Sequence, residues 1–339
     1  MIFVLPADVA DPELPSGGNT YDQRVVAGLR SLGHAVDAVL VDGAWPRPGA
    51  AACAALDRVL TAADGLVVVD GLVACGVPEV VVPHARRVRL VVLVHMPLGA
   101  ETGAAAGLDA RERAVLRAAW RVVTTSDRAA RELERRHGVR GVRVVAPGTD
   151  AAPLAAGDPR ELLCVASLTP HKGQDVLVRA LAEVADLEWT CTLAGPVRRS
   201  PAFAERVRTR VAEHGLDARV RMPGPLTGER LERAYGAAGL LVLPSRSETY
   251  GMVVAEALAR GIPVLASAGE EALGRAPDGS VPGLLVPPGD VVALASGLRE
   301  WLTTPSWRLA LRRSARLRRA EQADWNHAAR AMATALTHR

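Results

Sequence analysis

Nine apolar runs of five to seven residues recur along the chain with helix-patterned stretches between them, and this alternation most limits the folds open to it. The runs are IFVLP (2–6), AVDAVLV (35–41), GLVVVD (65–70), RLVVLVH (89–95), RVVTTS (121–126), ELLCVAS (161–167), WTCTLAG (189–195), GLLVLPS (239–245) and IPVLAS (262–267). Several are continuously apolar, the pattern of parallel strands covered on both faces. Between them, apolar residues return at three- and four-residue spacing, as in Val25, Val26, Leu29 and Leu32 ahead of Gly33, or Val176, Leu177, Ala180 and Leu181. Strands alternating with helices predict an α/β architecture.

A chain of 339 residues suggests two domains. The stretch Pro147–Asp158, rich in Pro, Gly and Ala, has the composition of a linker and divides the chain into halves of similar size. We therefore expect one domain over residues 1–150, a second over 151–320 and a closing helical segment over 321–339. A helix is expected over Asp127–Arg136, with Ser126 as its N-cap and Gly138 just past its end. The last helix is expected over Trp325–Leu336.

Composition removes several function classes. Hydrophobic residues at 49% and charged residues at 23% are those of a packed globular protein and exclude general disorder. With six Trp, three Tyr and two Phe, few rings are available as stacking platforms, so no nucleic-acid partner is expected. The most apolar stretch, Gly65–Val82, is broken by Asp70, Pro78 and Glu79, short of a membrane span. MIFVLPADVA has no basic segment ahead of its apolar run and reads as a first strand, not a secretory leader. Cys53, Cys75, Cys164 and Cys191 show no CxxC spacing, and Cys164 and Cys191 fall inside apparent buried strands; a cytoplasmic location is expected.

The net charge of +4 conceals an asymmetry: among 41 basic residues only Lys172 is a lysine. Lysine is a compact point charge that can enter a tight phosphate site, where arginine offers a planar fork. In open parallel sheets ligands bind beyond the carboxyl ends of the strands, and the unusual residues fall there. Ser16-Gly17-Gly18-Asn19-Thr20 follows the first strand and opens a helix; His95-Met96-Pro97 follows RLVVLV. Ser167 to Gly173, containing Lys172, follows ELLCVA, and Pro244 to Gly251 follows GLLVL. Two domains with facing carboxyl edges would bring these segments into one cleft.

The last of these segments says most. A tight loop ending at Gly251 leads into MVVAEALAR, which Gly261 stops. The free N–H groups at such a helix start attract phosphate. Glu248 lies just before that start and Glu256 eight residues later. Carboxylates beside a phosphate site make sense as acceptors for hydroxyl groups on either side of a diphosphate, the layout of a nucleotide sugar. The plainer alternative is a helix-start charge at Glu248 and a solvent-facing Glu256.

PSRSETYGMVVAEALARGIPVLAS resembles the donor motif of the family four retaining glycosyltransferases, with Glu248 and Glu256 as its Glu-x7-Glu pair. The resemblance extends over nearly the whole chain. SGGNTYDQRVVAGLRSLGHAV is similar to the family's glycine loop and first helix, LVHMP to its strand-end histidine, and VRVVAPGTD to the approach to its linker. SLTPHKGQDVLVRAL resembles the Lys-Gly segment and VPGLLVPPGDVVALASGL the tail of the donor domain. Two departures stand out. Ala166-Ser167 replaces the family's frequent Gly-Arg, leaving His171, Arg198 and Arg199 as candidates for a missing cationic contact, and Ala268-Gly269-Glu270-Glu271 stands where Gly-Gly-x-x-Glu is frequent.

What the resemblance implies is a GT-B fold, two facing Rossmann-like domains with the C-terminal helix returning to the first. The first domain would bind the acceptor and the second the nucleotide sugar. Lys172 would neutralise the departing diphosphate, Glu248 would accept hydroxyls of the donor sugar, and His95 would sit near that sugar. Tyr250, Gly251 and Met252 would hold phosphate, Glu256 ribose, and Gly17 and Gly18 would allow close backbone approach. Ser167 and Gly224 complete the expected donor site, Gly224 near the base. The implied reaction is a metal-independent, retaining transfer of a hexose-type sugar from a UDP-sugar, or from GDP-mannose, to a lipid, sugar, cyclitol or natural-product hydroxyl. No resident cofactor is implied, and the chain has no Asp-x-Asp. The loop Met96–Asp109 carries little side-chain information about the acceptor.

Two other readings compete. A nucleotide-sugar epimerase or hydrolase would share this architecture, whereas a dehydrogenase lacks its Gly-x-Gly-x-x-Gly and a P-loop its Gly-Lys-Ser/Thr. A non-enzymatic binder of anionic surfaces, such as a peripheral membrane protein, would use Arg308, Arg312, Arg313, Arg316, Arg318 and Arg319 with Trp301, Trp307 and Leu317. A solvated helix face is the plainer account of that cluster.

Overall fold

The apolar runs become strands because Val, Ile and Leu fit a pleated surface covered on both sides. The computed structural model describes residues 1–100 and 107–337, and for Ala100 the backbone alone. Residues 101–106 of the predicted acceptor loop lie outside the described residues. Two parallel six-stranded sheets are present. The first contains β1 (Ile2–Pro6), β2 (Asp37–Val41), β3 (Leu66–Asp70), β4 (Arg89–Val94), β5 (Arg121–Thr124) and β6 (Arg143–Val144), in the order β2-β1-β3-β4-β5-β6. The second contains β7 (Asp158–Val165), β8 (Thr190–Ala194), β9 (Val220–Gly224), β10 (Ala238–Leu243), β11 (Val264–Ala266) and β12 (Gly283–Leu285), in the order β12-β11-β10-β7-β8-β9. Both are doubly wound α/β sheets of the Rossmann type.

The chain divides into two compact units. One is made of Met1–Asp11, Gly18–Gly148 and the segment from Asp324 onward; the other of Pro12–Gly17 and Thr149–Ala323. The core of the first is aliphatic, with Leu56, Leu60, Val67, Leu90, Val92 and Leu133 at its centre. In the second, one cluster around Leu162, Leu177, Leu181 and Trp301 and another around Leu241, Val254 and Leu258 cover the two faces of the sheet. Cys164 and Cys191 are buried in β7 and β8 as expected, and burial pushes the Cys164 thiol up to about 12, so neither is a reactive thiol.

The predicted helix after β5 runs Asp127–His137; the Ser126 hydroxyl accepts from the Ala129 N–H, and Gly138 ends it at φ 66°. In the helix Gly17–Ser31, Val25, Val26 and Leu29 are buried, but Leu32 lies beyond its end and is 42% exposed. The chain reverses there: the Gly33 N–H bonds the Arg30 carbonyl and the His34 N–H the Leu29 carbonyl, which removes Leu32 from the apolar stripe. The strands that no apolar run announces are β6, β9 and β12, and all three are sheet edges. An edge strand is covered less, so short or mixed segments such as RV, VRMPG and GLL suffice.

The last helix, Trp325–Thr337, packs against the Gly17–Ser31 helix within the first unit. The Trp325 ring meets Tyr21 edge-on at 6.0 Å and Arg24 lies 5.9 Å from its centroid. At Gly28 the two helices are so close that an added Cβ would come within 2.6 Å of the Ala329 Cβ.

Candidate active site

In the second unit β7 and β10 are neighbours, with Leu162 opposite Leu240 and Leu163 opposite Leu241, so the loops leaving their carboxyl ends lie side by side. The β7 loop makes a short 3-10 turn, Pro170–Lys172, and then Gly173 at φ 70°. A side chain there would place its Cβ 2.2 Å from the Pro244 carbonyl oxygen, so glycine alone allows the loops to touch. The Arg246 N–H bonds the His171 carbonyl at 2.8 Å, and the Arg246 guanidinium donates to the Pro170 carbonyl at 3.2 Å. Across this seam Lys172 Nζ donates to Glu248 Oε1 at 2.6 Å, with the two side chains only 24% and 11% exposed. Two residues 76 apart in sequence are thus joined by adjacency of their strands.

Gly251, at φ 94°, starts the helix Met252–Ala259 and contributes no capping side chain; the Val254 N–H bonds the Gly251 carbonyl at 2.9 Å, and the Met252 and Val253 N–H groups get no side-chain partner from the cap. Glu256 lies one turn along, its carboxylate accepting from the Tyr235 hydroxyl at 2.7 Å. Tyr235 is wholly buried, and the Arg260 guanidinium stacks 4.5 Å from its ring centroid while pairing with Glu232. Burial pushes the Glu256 carboxyl above its ordinary range, against the pull of Tyr235 and Arg260. Gly17 belongs to this unit, with an added Cβ 3.3 Å from Met252 Sδ. The Gly269 turn packs on Gly251, whose added Cβ would lie 3.1 Å from the Gly269 Cα. Ser167 is half-buried after β7, its carbonyl accepting from Gln174 Nε2 at 3.0 Å; Gly224 ends β9 at φ 80°. Of the substitute cations, His171 is buried and Arg199 donates to the Leu14 carbonyl at 3.3 Å.

In the first unit His95 follows β4, one strand from the end of β3, and its Nε2 lies 2.8 Å from Asp22 Oδ1 and 3.4 Å from Asp70 Oδ2. Gly18 lies against the ring, where an added Cβ would approach Cδ2 to 3.2 Å. The segment after His95 is pinned by a second buried cluster: Glu112 accepts from the Leu98 N–H at 3.0 Å and pairs with His137 Nε2 at 2.8 Å.

The arginine helix, Pro305–Arg319, is engaged with its own unit. Arg308 donates to the Trp301 and Leu302 carbonyls, Arg312 to Gly157, Arg318 to Leu273 and Arg319 to Ala152, at 2.5–3.2 Å. Trp301 is wholly buried. These guanidiniums satisfy carbonyls at the ends of neighbouring helices and in loops of the same unit, which is a packing role. Among the described residues no helix is long and apolar enough to cross a membrane.

The family model for glycosyl transferases group 1 matches residues 149–318, half of the chain and nearly all of the second unit. The chain belongs to that family. It is 32% identical over 257 residues to the D-inositol 3-phosphate glycosyltransferase of Kineococcus radiotolerans, covering 67% of this chain and 59% of that protein. Against the protein of the same name from Rhodococcus jostii it is 32% identical over 238 residues, covering 64% and 52%. The chain therefore spans little more than half the length of these relatives. In fold it is similar to sucrose-phosphate synthase from Thermosynechococcus elongatus (TM-score 0.82, 23% identity, 98% of this chain and 97% of that one). It is also similar to HepE of Anabaena, solved with UDP-glucose (TM-score 0.76, 18% identity, 99% and 98%). The two sheets and the returning helix are the GT-B arrangement of this group 1 family.

Sequence reasoning passed over three residues that contact the predicted ones, Asp22 and Asp70 at His95 and Tyr235 at Glu256. Asp70 was legible as the polar end of an apolar run by the same strand-end rule that selects His95. Asp22 sits among the buried positions of its helix, where a carboxylate looks like surface until its partner is known. Tyr235 is one of three tyrosines and carries no local signal.

Proposed function

We propose that this group 1 glycosyltransferase moves a hexose-type sugar, with retention and without a metal ion, from a nucleotide sugar to a hydroxyl acceptor, a UDP-sugar being the first donor to test. The reading is carried by the Lys172–Glu248 pair at the uncapped start of the Met252–Ala259 helix. Without ligand the pair satisfies itself. With a donor present Lys172 turns its charge to the diphosphate, and the helix N–H groups around Tyr250, Gly251 and Met252 supply the remaining donors. Glu248 then accepts hydroxyls of the sugar, and Glu256, held by Tyr235, accepts those of the ribose. The bond from the anomeric carbon to the phosphate oxygen breaks as the acceptor oxygen bonds to the same face. The acceptor proton passes to the departing phosphate oxygen. Residues 1–150 take the acceptor and 151–320 the nucleotide sugar. Because the inositol-phosphate relatives are named for that acceptor, D-inositol 3-phosphate heads the acceptor panel.

A thermal titration with UDP, GDP, ADP and their sugar conjugates, in EDTA, tests the donor half. At a hundred times Kd a bound nucleotide adds about 2.7 kcal/mol to stability. The expected result is a rise in Tm with one nucleotide, lost in Glu256→Ala. No rise with any nucleotide sinks the reading, and donor turnover without any acceptor points to the hydrolase or epimerase instead.

A further inference from the structure

The strand-end histidine stands in an unusual electrostatic setting. Asp22 and Asp70 are 1% and 4% exposed, yet both direct a carboxylate oxygen at the same ring nitrogen, His95 Nε2. Two buried carboxylates this close would repel strongly unless a cation or a proton lay between them. Asp70 is fixed by a separate contact: its Oδ1 accepts from the Leu72 and Val73 N–H groups at 2.6 and 3.3 Å, capping the short helix Gly71–Ala74 and leaving Oδ2 towards the ring. A proton on the imidazole supplies that balance, because Nε2 faces both carboxylates.

The ring is fixed on its other sides. Gly18 leaves room for it and no more, and Tyr21 meets it edge-on at 5.3 Å with its hydroxyl tied to the Val145 carbonyl at 2.9 Å. Among the described residues the charged groups facing the ring are Asp22 from the Gly17–Ser31 helix and Asp70 from the end of β3; burial keeps the Tyr21 phenol neutral. The histidine side chain retains 20% exposure, and among the described residues its Nδ1 takes no hydrogen bond.

We propose that Asp22 is a positioning residue that, together with Asp70, holds His95 as an imidazolium, with Nε2–H spent on the two carboxylates and Nδ1–H left to donate to a substrate oxygen. Burial works against that charge, but the carboxylates outweigh it and push the imidazole up to about 10. Burial also raises the Asp22 carboxyl, to about 6, so both partners remain ionised near neutrality. The inference rests on the transferase reading and deepens it. An imidazolium has no lone pair with which to take a proton. His95 is therefore a fixed cationic donor, and removal of the acceptor proton falls to the departing phosphate.

Nitrogen-15 NMR of the imidazoles, with His95→Gln to assign the signal, reads the charge directly in the free protein. The expected result is a His95 ring still protonated at pH 8, titrating at least about one pH unit lower in Asp22→Asn. Under turnover the alkaline limb of the kcat/KM profile should move to lower pH in Asp22→Asn by the same amount, whereas simple damage to packing lowers activity equally at every pH. A neutral His95 at pH 7.5 in the native protein, or an unchanged titration in Asp22→Asn, overturns the proposal. Should Asp22→Asn not fold, the native titration decides alone. A neutral ring in an active transferase removes this inference only; a protonated ring in a protein that binds no nucleotide removes the transferase reading instead.

Discussion

Lys172 gains its meaning from what it touches. In a chain that otherwise uses arginine, this one lysine is paired at 2.6 Å with the first carboxylate of the Glu-x7-Glu motif. If it neutralises a departing diphosphate, Lys172→Ala should lower kcat by about 10²-fold or more, as loss of one preorganised donor does elsewhere. Steady-state rates with a saturating donor check this, and near-normal turnover would count against the assignment. Tyr235 acts one step back. Tyr235→Phe removes the only hydroxyl its ring carries and strips a 2.7 Å bond from Glu256, a carboxylate that burial already disfavours. The expected cost is about 2 kcal/mol in stability, with weaker nucleotide binding, read by urea unfolding and UDP titration. A variant with native stability and native UDP affinity would show Glu256 to be positioned by other contacts.

At the scale of elements, adjacency in the sheet is what converts strand-end residues into sites. β7 and β10 are separated by two other strands in sequence but not in space, and that brings the Lys172 loop to the Glu248 loop. β3 and β4 do the same for Asp70 and His95. The returning helix is held by close approach: Gly28 faces Ala329 with no room for a methyl group. Gly28→Val should therefore push the Trp325–Thr337 helix away and cost about 1–3 kcal/mol by overpacking. Denaturant unfolding checks the size, and tryptophan fluorescence reports Trp325 leaving Tyr21. An unchanged midpoint would mean that the helix contributes little to the first unit.

For the whole molecule, the pH dependence of stability follows from the half-buried His95. The imidazole titrates near its ordinary 6.5 when unfolded and near 10 when folded. Below pH 6.5 both states hold the proton and its contribution is fully present. Between the two values the folded state holds a proton that the unfolded chain has released, so stability falls as pH rises from 7 towards 10. Urea midpoints across that range should decline, and the decline should be much shallower in His95→Gln. A flat profile in the native protein would show that the imidazole is neutral throughout.

Much of this organisation was written in local order. Apolar runs ending in Gly, Pro and polar residues determine strands and the loops beyond them, because period and turn chemistry are properties of neighbouring residues. Thus α/β architecture, the Ser126-capped helix and the loops carrying His95, Lys172 and Glu248 were legible from the sequence pattern alone. Edge strands were not, since covering on one side asks little of composition. Nor were the partners: that Asp22 and Asp70 converge on His95, that Tyr235 holds Glu256, and that Arg312, Arg318 and Arg319 serve carbonyls of their own unit. Those pairings join residues 21 to 167 positions apart, and only the strand order and helix packing decide which of many polar side chains meet out of water. Chain-local physics determined the elements; burial, a property of the assembled fold, decided their charges.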